Sequence, residues 1–175
     1  MSVELISSQE LLSKAKILYQ FVDLFSDYEN TPRNYDWIED LTMVEVHILA
    51  EIEEHPGITS KELSEKTRRS KGFISTIITK LTRSGYIVKI ADKEDAKKKL
   101  LFVTSHGKSL CLAHAQFDEK TLLKTYNYLL RDCTSEEIGC FYKVMQVYNN
   151  IMIAAEKKRK QQKMQEGLKG ETSEK

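Results

Sequence analysis

Hydroxyl and cationic side chains alternate along one short stretch of this chain. Ser75, Thr76 and Thr79 lie among Lys71, Lys80 and Arg83, with Ser70 just ahead of them. Short hydroxyls suit hydrogen bonding to base edges, and long cations suit phosphates. A second basic group, Lys97, Lys98 and Lys99, follows a charged segment. Both groups could recognise a polyanion; neither is equipped to make or break bonds. The chain has no Gly-rich phosphate loop, no G-x-S-x-G, no H-E-x-x-H and no paired carboxylates in a plausible cleft, so it does not read as an enzyme.

A second constellation carries metal-ligand types. Glu45 and His47 are close in sequence, as are Cys111, His114 and Asp118. On a helix, Cys111 and His114 share a face at i, i+3, and His114 and Asp118 do so at i, i+4. Imidazole, thiolate and carboxylate are suitable zinc ligands if the two helices face each other. The ordinary alternative is that a lone helical histidine packs or is solvated.

Charge is segregated along the chain. Phe21–Ile58 holds ten acids and one base; Lys66–Lys99 holds eleven bases and three acids. The basic block is a candidate electrostatic footprint for nucleic acid, against the bland reading of a solvated face. With 175 residues, 41% hydrophobic and 30% charged, the chain suits one compact domain with appended helices. Three cysteines without a CxxC pair fit a reducing compartment better than a disulfide framework. No apolar run reaches the roughly 18 residues of a membrane span. The first residues lack a basic n-region and a long apolar run, so no signal peptide is expected and the reading is cytoplasmic.

Periodicity predicts the elements that position these side chains. A helix is expected from about Ser8 to Tyr28, with Leu11, Ala15, Leu18, Val22 and Phe25 on one stripe. A second covers about Thr42 to Glu54, where Thr42 and Glu45 have capping-box spacing. Thr59 and Glu62 repeat that spacing and open a short helix to about Lys66. A polar turn, Thr67–Ser70, leads into a helix from Lys71 to Ser84, closed by Gly85. Residues 86–90 and 100–104 read as two strands around a charged hairpin tip. Two helices, a turn and a hairpin in this order make a winged helix-turn-helix. Long helices follow, from about Ser105 to Arg131 and from Ser135 to about Lys160. The last carries Ile138, Phe141, Met145, Tyr148, Met152 and Ala155 at heptad-like spacing. The tail from 161 to 175 is expected to be disordered. The expected fold class is mainly α with a two-stranded β-wing.

The stretch from about Leu41 to Gly107 resembles the MarR family of winged helix-turn-helix regulators, and the flanking helix plan also fits. That family shows a pattern close to D-x-x-D-R-R-x-x-x-x-x-L-T-x-x-G. Here it stands as Asp92-Lys-Glu-Asp95-Ala96-Lys97, then Leu100-Leu-Phe-Val103-Thr104-Ser-His-Gly107. The segment from Ser70 to Ile87 looks like the family's recognition helix and its exit. The resemblance implies that Asp95 orients the wing and that the wing enters a minor groove. The family places an arginine there, whereas this chain has Lys97, and Ala96 replaces the arginine before it. Lysine lacks the planar fork, so minor-groove readout is expected to be weaker.

The resemblance also implies a homodimer. Residues 1–35 and 105–160 would then be dimerisation helices and 36–104 the DNA-binding domain, with recognition helices about 34–36 Å apart. The helical stripes agree with this; the alternative is that they pack within one chain. The expected function is a sequence-specific DNA-binding regulator, a repressor on a palindromic operator that is released by an effector. That effector would be a small molecule or zinc. His47 sits where zinc-sensing members have a ligand, although their denser histidine pattern on the fifth helix is absent. Oxidant sensing is disfavoured, because no cysteine precedes Cys111. The rival from another class is a winged helix used for protein–protein contact.

Overall fold

A computed structural model describes residues 7–35 and 38–172, with side chains over 7–34 and 41–162. Trp37 lies outside the described residues. The chain divides into two compact units, Met1–Glu119 and Lys120–Lys175.

The first unit opens with α1 (Ser8–Asn30), whose N-cap Ser7 accepts a hydrogen bond from the Glu10 N–H. A small antiparallel hairpin follows, β1 (Arg33–Tyr35) and β2 (Ile38–Leu41). Sequence alone shows only a break here, because strands this short carry no readable alternation. Next come α2 (Met43–Glu54), β3 (Ile58–Thr59), α3 (Ser60–Thr67) and α4 (Lys71–Arg83). The strands β4 (Ile87–Ala91) and β5 (Lys99–Val103) then lead into α5 (Ser105–Leu129). Both expected capping boxes form, Thr42 with Glu45 and Thr59 with Glu62, so two backbone donors at each helix start are satisfied reciprocally.

The wing is a hairpin of β4 and β5, and a third strand joins it. The sheet order is β3-β5-β4, with Ile58 opposite Leu101 and Thr59 opposite Leu100. That two-residue strand was outside the expected two-stranded wing. It matters because it ties the start of α3 to the base of the wing.

One core holds this unit. Val46, Leu49 and Ile52 of α2, Leu63 of α3, Ile74 and Leu81 of α4, Leu101 of β5 and Leu110 of α5 are fully or almost fully buried. The apolar stripe of α4 therefore faces inward, and its hydroxyl and cationic side chains have to face outward. Truncating such a residue, Leu81→Ala for example, is expected to cost about 2–5 kcal/mol.

In the second unit, α6 (Ser135–Thr172) is 38 residues long. Composition predicts an unstructured tail from 161, but the helix runs on to Thr172. Residues 156–166 are Glu, Lys, Arg, Gln and Met, which favour helix strongly, and no proline interrupts them. Ile138 is buried, while Phe141, Tyr148 and Met152 of the expected seam are exposed on the single chain. In the first unit, α1 likewise buries none of its residues, and Leu11, Val22 and Phe25 are exposed. Among the described residues no helix is long and apolar enough to cross a membrane.

Candidate nucleic-acid interface

The start of α4 is set by Ser70, whose hydroxyl oxygen accepts from the Phe73 N–H at 3.2 Å. Its end is set by Gly85, at φ +75°, a left-handed conformation that costs glycine nothing sterically. Between them Lys71, Ser75, Thr76, Thr79 and Arg83 are exposed and Lys80 is half-exposed. Ser75, Thr76, Thr79, Lys80 and Arg83 line one shallow groove, so the structure brings these expected site residues together. Two of the hydroxyls are already engaged: Thr76 Oγ1 donates to Gly72 O at 3.1 Å, and Thr79 Oγ1 donates to Ser75 O at 2.8 Å. Lys80 is engaged too, since its Nζ lies 2.8 and 2.7 Å from the two carboxylate oxygens of Glu45.

The wing tip is shaped by two aspartates. Asp92 Oδ1 accepts from the Glu94 N–H at 2.8 Å, a bond that holds its carboxyl below the usual carboxylate range. Asp95 Oδ1 accepts from the Lys97 N–H at 3.0 Å, and Asp95 O from the Lys98 N–H at 2.8 Å. Asp95 thus fixes the backbone from which Lys97 and Lys98 project. Lys97, Lys98 and Lys99 are all exposed, with Lys98 Nζ 3.8 Å from Asp92 Oδ2. Lys61, which sequence reading passed over, joins these three lysines around a second groove. The signal for it was the β3–β5 pairing, too short to be seen in the sequence.

The exit of the wing explains the Thr-x-x-Gly spacing. Thr104 Oγ1 donates to Gly85 O at 2.7 Å and accepts from the Gly107 N–H at 3.1 Å. A Cβ on Gly107 would collide with Tyr86 O and stand 2.7 Å from Val103 Cγ1, so only glycine lets α5 pass this close to Tyr86 and the end of β5. The link between α4 and α5 is built from residues 85, 86, 104 and 107.

The candidate metal ligands divide. His47, His114 and Asp118 come together, with all three ligand atoms within 4.8 Å of one another. The Nε2 atoms of His114 and His47 lie 3.3 and 3.7 Å from the same oxygen, Asp118 Oδ2. Burial pushes the His114 imidazole below its usual pKa, with the charges of His47 and Arg33 acting the same way and Asp118 opposing them. A neutral imidazole is the form that binds a metal. Glu45 does not join this group; its carboxylate is committed to Lys80 and to the Thr42 N–H. Cys111 does not join it either. It is packed into the hydrophobic core, where burial, with the neighbouring Glu53 carboxylate, pushes its thiol up to about 12.

This arrangement defines a winged helix-turn-helix domain. Its residues 41–99 match the MarR family model. Over 70 residues it is 36% identical to an uncharacterized HTH-type transcriptional regulator of Bacillus cereus, covering 40% of this chain. The chain spans about half of that relative, 46% of its length. It is 29% identical over 98 residues to the uncharacterized HTH-type transcriptional regulator YhjH of Bacillus subtilis (strain 168), covering 56% of this chain and 55% of that one. Among solved structures, a MarR protein from Peptoclostridium difficile aligns with TM-score 0.56 and 25% identity over 86% of this chain and 93% of that one. Streptococcus pneumoniae FabT, solved in complex with DNA, aligns with TM-score 0.61 and 19% identity, covering 83% and 97%. At that identity the likeness concerns the fold.

Proposed function

We propose that this protein is a sequence-specific DNA-binding transcription regulator that acts as a homodimer on an inverted-repeat operator, as an effector-released repressor. The observation that carries the reading is the exposed hydroxyl-and-cation face of α4, set beside a lysine-bearing wing on a MarR family domain. FabT, a fold relative, binds DNA. The unpartnered apolar faces of α1 and α6 support a second copy of the chain as the partner. A winged helix used for protein contact would not need hydroxyls and cations arranged along the outer face of α4. Selection of bound sites from random duplexes tests DNA binding, palindromy and spacing together. Inverted repeats with half-sites about 10–10.5 base pairs apart are expected; no enrichment would overturn the reading.

Helix and wing should fail differently. Losing a base contact costs about 1–3 kcal/mol and relaxes one position, whereas losing a phosphate contact weakens all sequences and lowers the salt slope by about 0.9. Thr76→Ala is therefore expected to change which sequences are preferred, and Lys98→Ala to change the salt dependence. Salt titrations on specific and scrambled duplexes separate the two. An unchanged slope for Lys98→Ala would mean that the wing does not touch DNA.

A second reading, zinc as the effector, is favoured by the meeting of His47, His114 and Asp118. Two imidazole nitrogens and a carboxylate oxygen fit three positions of a tetrahedral zinc and leave one open. The nearby Arg33 charge opposes a cation there. On this reading zinc raises thermal stability and tightens operator binding, and His47→Ala abolishes both responses. Calorimetry without a binding signal at low micromolar zinc would remove the zinc reading and leave the DNA-binding one standing.

A further inference from the structure

The sequence marks Lys80 as a phosphate contact, but the structure gives it a different partner. Its ammonium lies 2.7 and 2.8 Å from both oxygens of Glu45, across from α4 to α2. Glu45 is itself held in place. Its carboxylate accepts from the Thr42 N–H at 2.9 Å, and its own N–H donates to Thr42 Oγ1 at 3.2 Å. The Glu45 side chain is 13% exposed and that of Lys80 33%. The pair is thus partly withdrawn from water, where a charge–charge contact is stronger and less screened than on an open surface. Lys80 nevertheless borders the same groove as Thr76, Thr79 and Arg83. A phosphate entering that groove meets an ammonium already neutralised by a fixed carboxylate.

We propose that Glu45 tunes the DNA interface through Lys80, holding its ammonium away from DNA phosphates and so lowering the sequence-independent part of binding. This rests on the DNA-binding reading above. Counterion release scales with the number of phosphates neutralised and is blind to sequence. Withholding one cation per protomer reduces that term. The contacts of Ser75, Thr76 and Thr79 to base edges are left intact, so a larger share of the remaining binding free energy depends on sequence. Glu45 is a positioning residue: it reaches the interface only through Lys80.

The experiment is a salt titration of the full chain on two duplexes of equal length, one a selected inverted repeat and one scrambled. Glu45→Gln keeps the capping box, which accepts glutamine as well as glutamate, and removes the charge. It is expected to bind the scrambled duplex roughly five- to tenfold more tightly per protomer at about 0.1 M salt, with a slope steeper by about 0.9 per protomer. The double variant Glu45→Gln/Lys80→Gln is expected to return to the wild-type slope. A variant that merely damaged the fold would lower affinity, so a rise separates this role from a structural one. The proposal is overturned if Glu45→Gln leaves the slope unchanged, or if the double variant falls below wild type by about 0.9 per protomer, since Lys80 then sits on phosphate already. Wild-type protein that binds neither duplex would overturn the DNA-binding reading and this one together. Wild-type discrimination with a silent Glu45→Gln would overturn this one alone.

Discussion

Placing aspartate at both Met145 and Tyr148 should convert the protein to monomers and weaken operator binding by about 10²–10⁴-fold. The two positions lie on the α6 seam, where Tyr148 is 49% exposed on the single chain and Met145 is half-buried. Phe141 and Met152 flank them, at 49% and 68% exposure. Large apolar groups at heptad-like spacing are costly to leave in water and are matched by a facing helix. A carboxylate buried in that contact would lose solvation worth several kcal/mol without a partner. On the proposed reading, operator affinity depends on the dimer because the second half-site is then bound intramolecularly, at an effective concentration near millimolar. Sedimentation velocity at micromolar protein and a mobility shift on the selected duplex are the two measurements. Circular dichroism should show helix content unchanged, since both positions are exposed or half-buried on a surface helix. Wild-type protein that sediments as a monomer would count against the dimer.

Gly107→Ala should be the most damaging single-methyl change in the described part of the chain. The added carbon would stand far inside van der Waals contact with the Tyr86 carbonyl oxygen, and that carbonyl is backbone, already accepting from the Thr104 N–H at 2.9 Å. Neither side can give without moving the backbone at Tyr86, just ahead of β4, against the start of α5. Overpacking of this kind costs typically about 1–3 kcal/mol, and a clash with backbone belongs at or above the top of that range. Against a total of about 5–15 kcal/mol for a domain, this is a large share. Gly139→Ala is the control: no atom lies within 4 Å of its Cβ position, and alanine favours helix over glycine by about 1 kcal/mol. Denaturant midpoints are expected to move in opposite directions for the two variants. An unshifted midpoint for Gly107→Ala would mean that the helix and strand are not locked together as described.

The same residues show what sequence can and cannot convey. Every helix with an apolar stripe or a cap was legible, because Thr42–Glu45, Thr59–Glu62 and Gly85 act through backbone groups a few residues away. Short strands were not: β1, β2 and β3 are two to four residues long and are defined by their pairing partners rather than by any pattern of their own. The Lys80–Glu45 pair was invisible for a related reason. Each residue reads correctly by itself, one as a cation on a polar face and the other as a cap. Only the packing of α4 on α2 brings them within 2.7 Å. Of the possible metal ligands, the i, i+4 pair His114 and Asp118 shared a helix face as expected. Cys111, one turn earlier, was already spent on the core.

The two threonine hydroxyls on the outer face of α4 are committed as donors, Thr76 to Gly72 O and Thr79 to Ser75 O. What each of these side chains has left to offer is a methyl group and an oxygen that accepts. Of the base edges in the major groove, guanine's O6 and N7 are acceptors and offer such a side chain nothing; the amino groups of adenine and cytosine donate, and thymine offers a methyl. On the proposed reading, the letters beneath these two residues are adenine, thymine and cytosine, and guanine is refused for want of a proton.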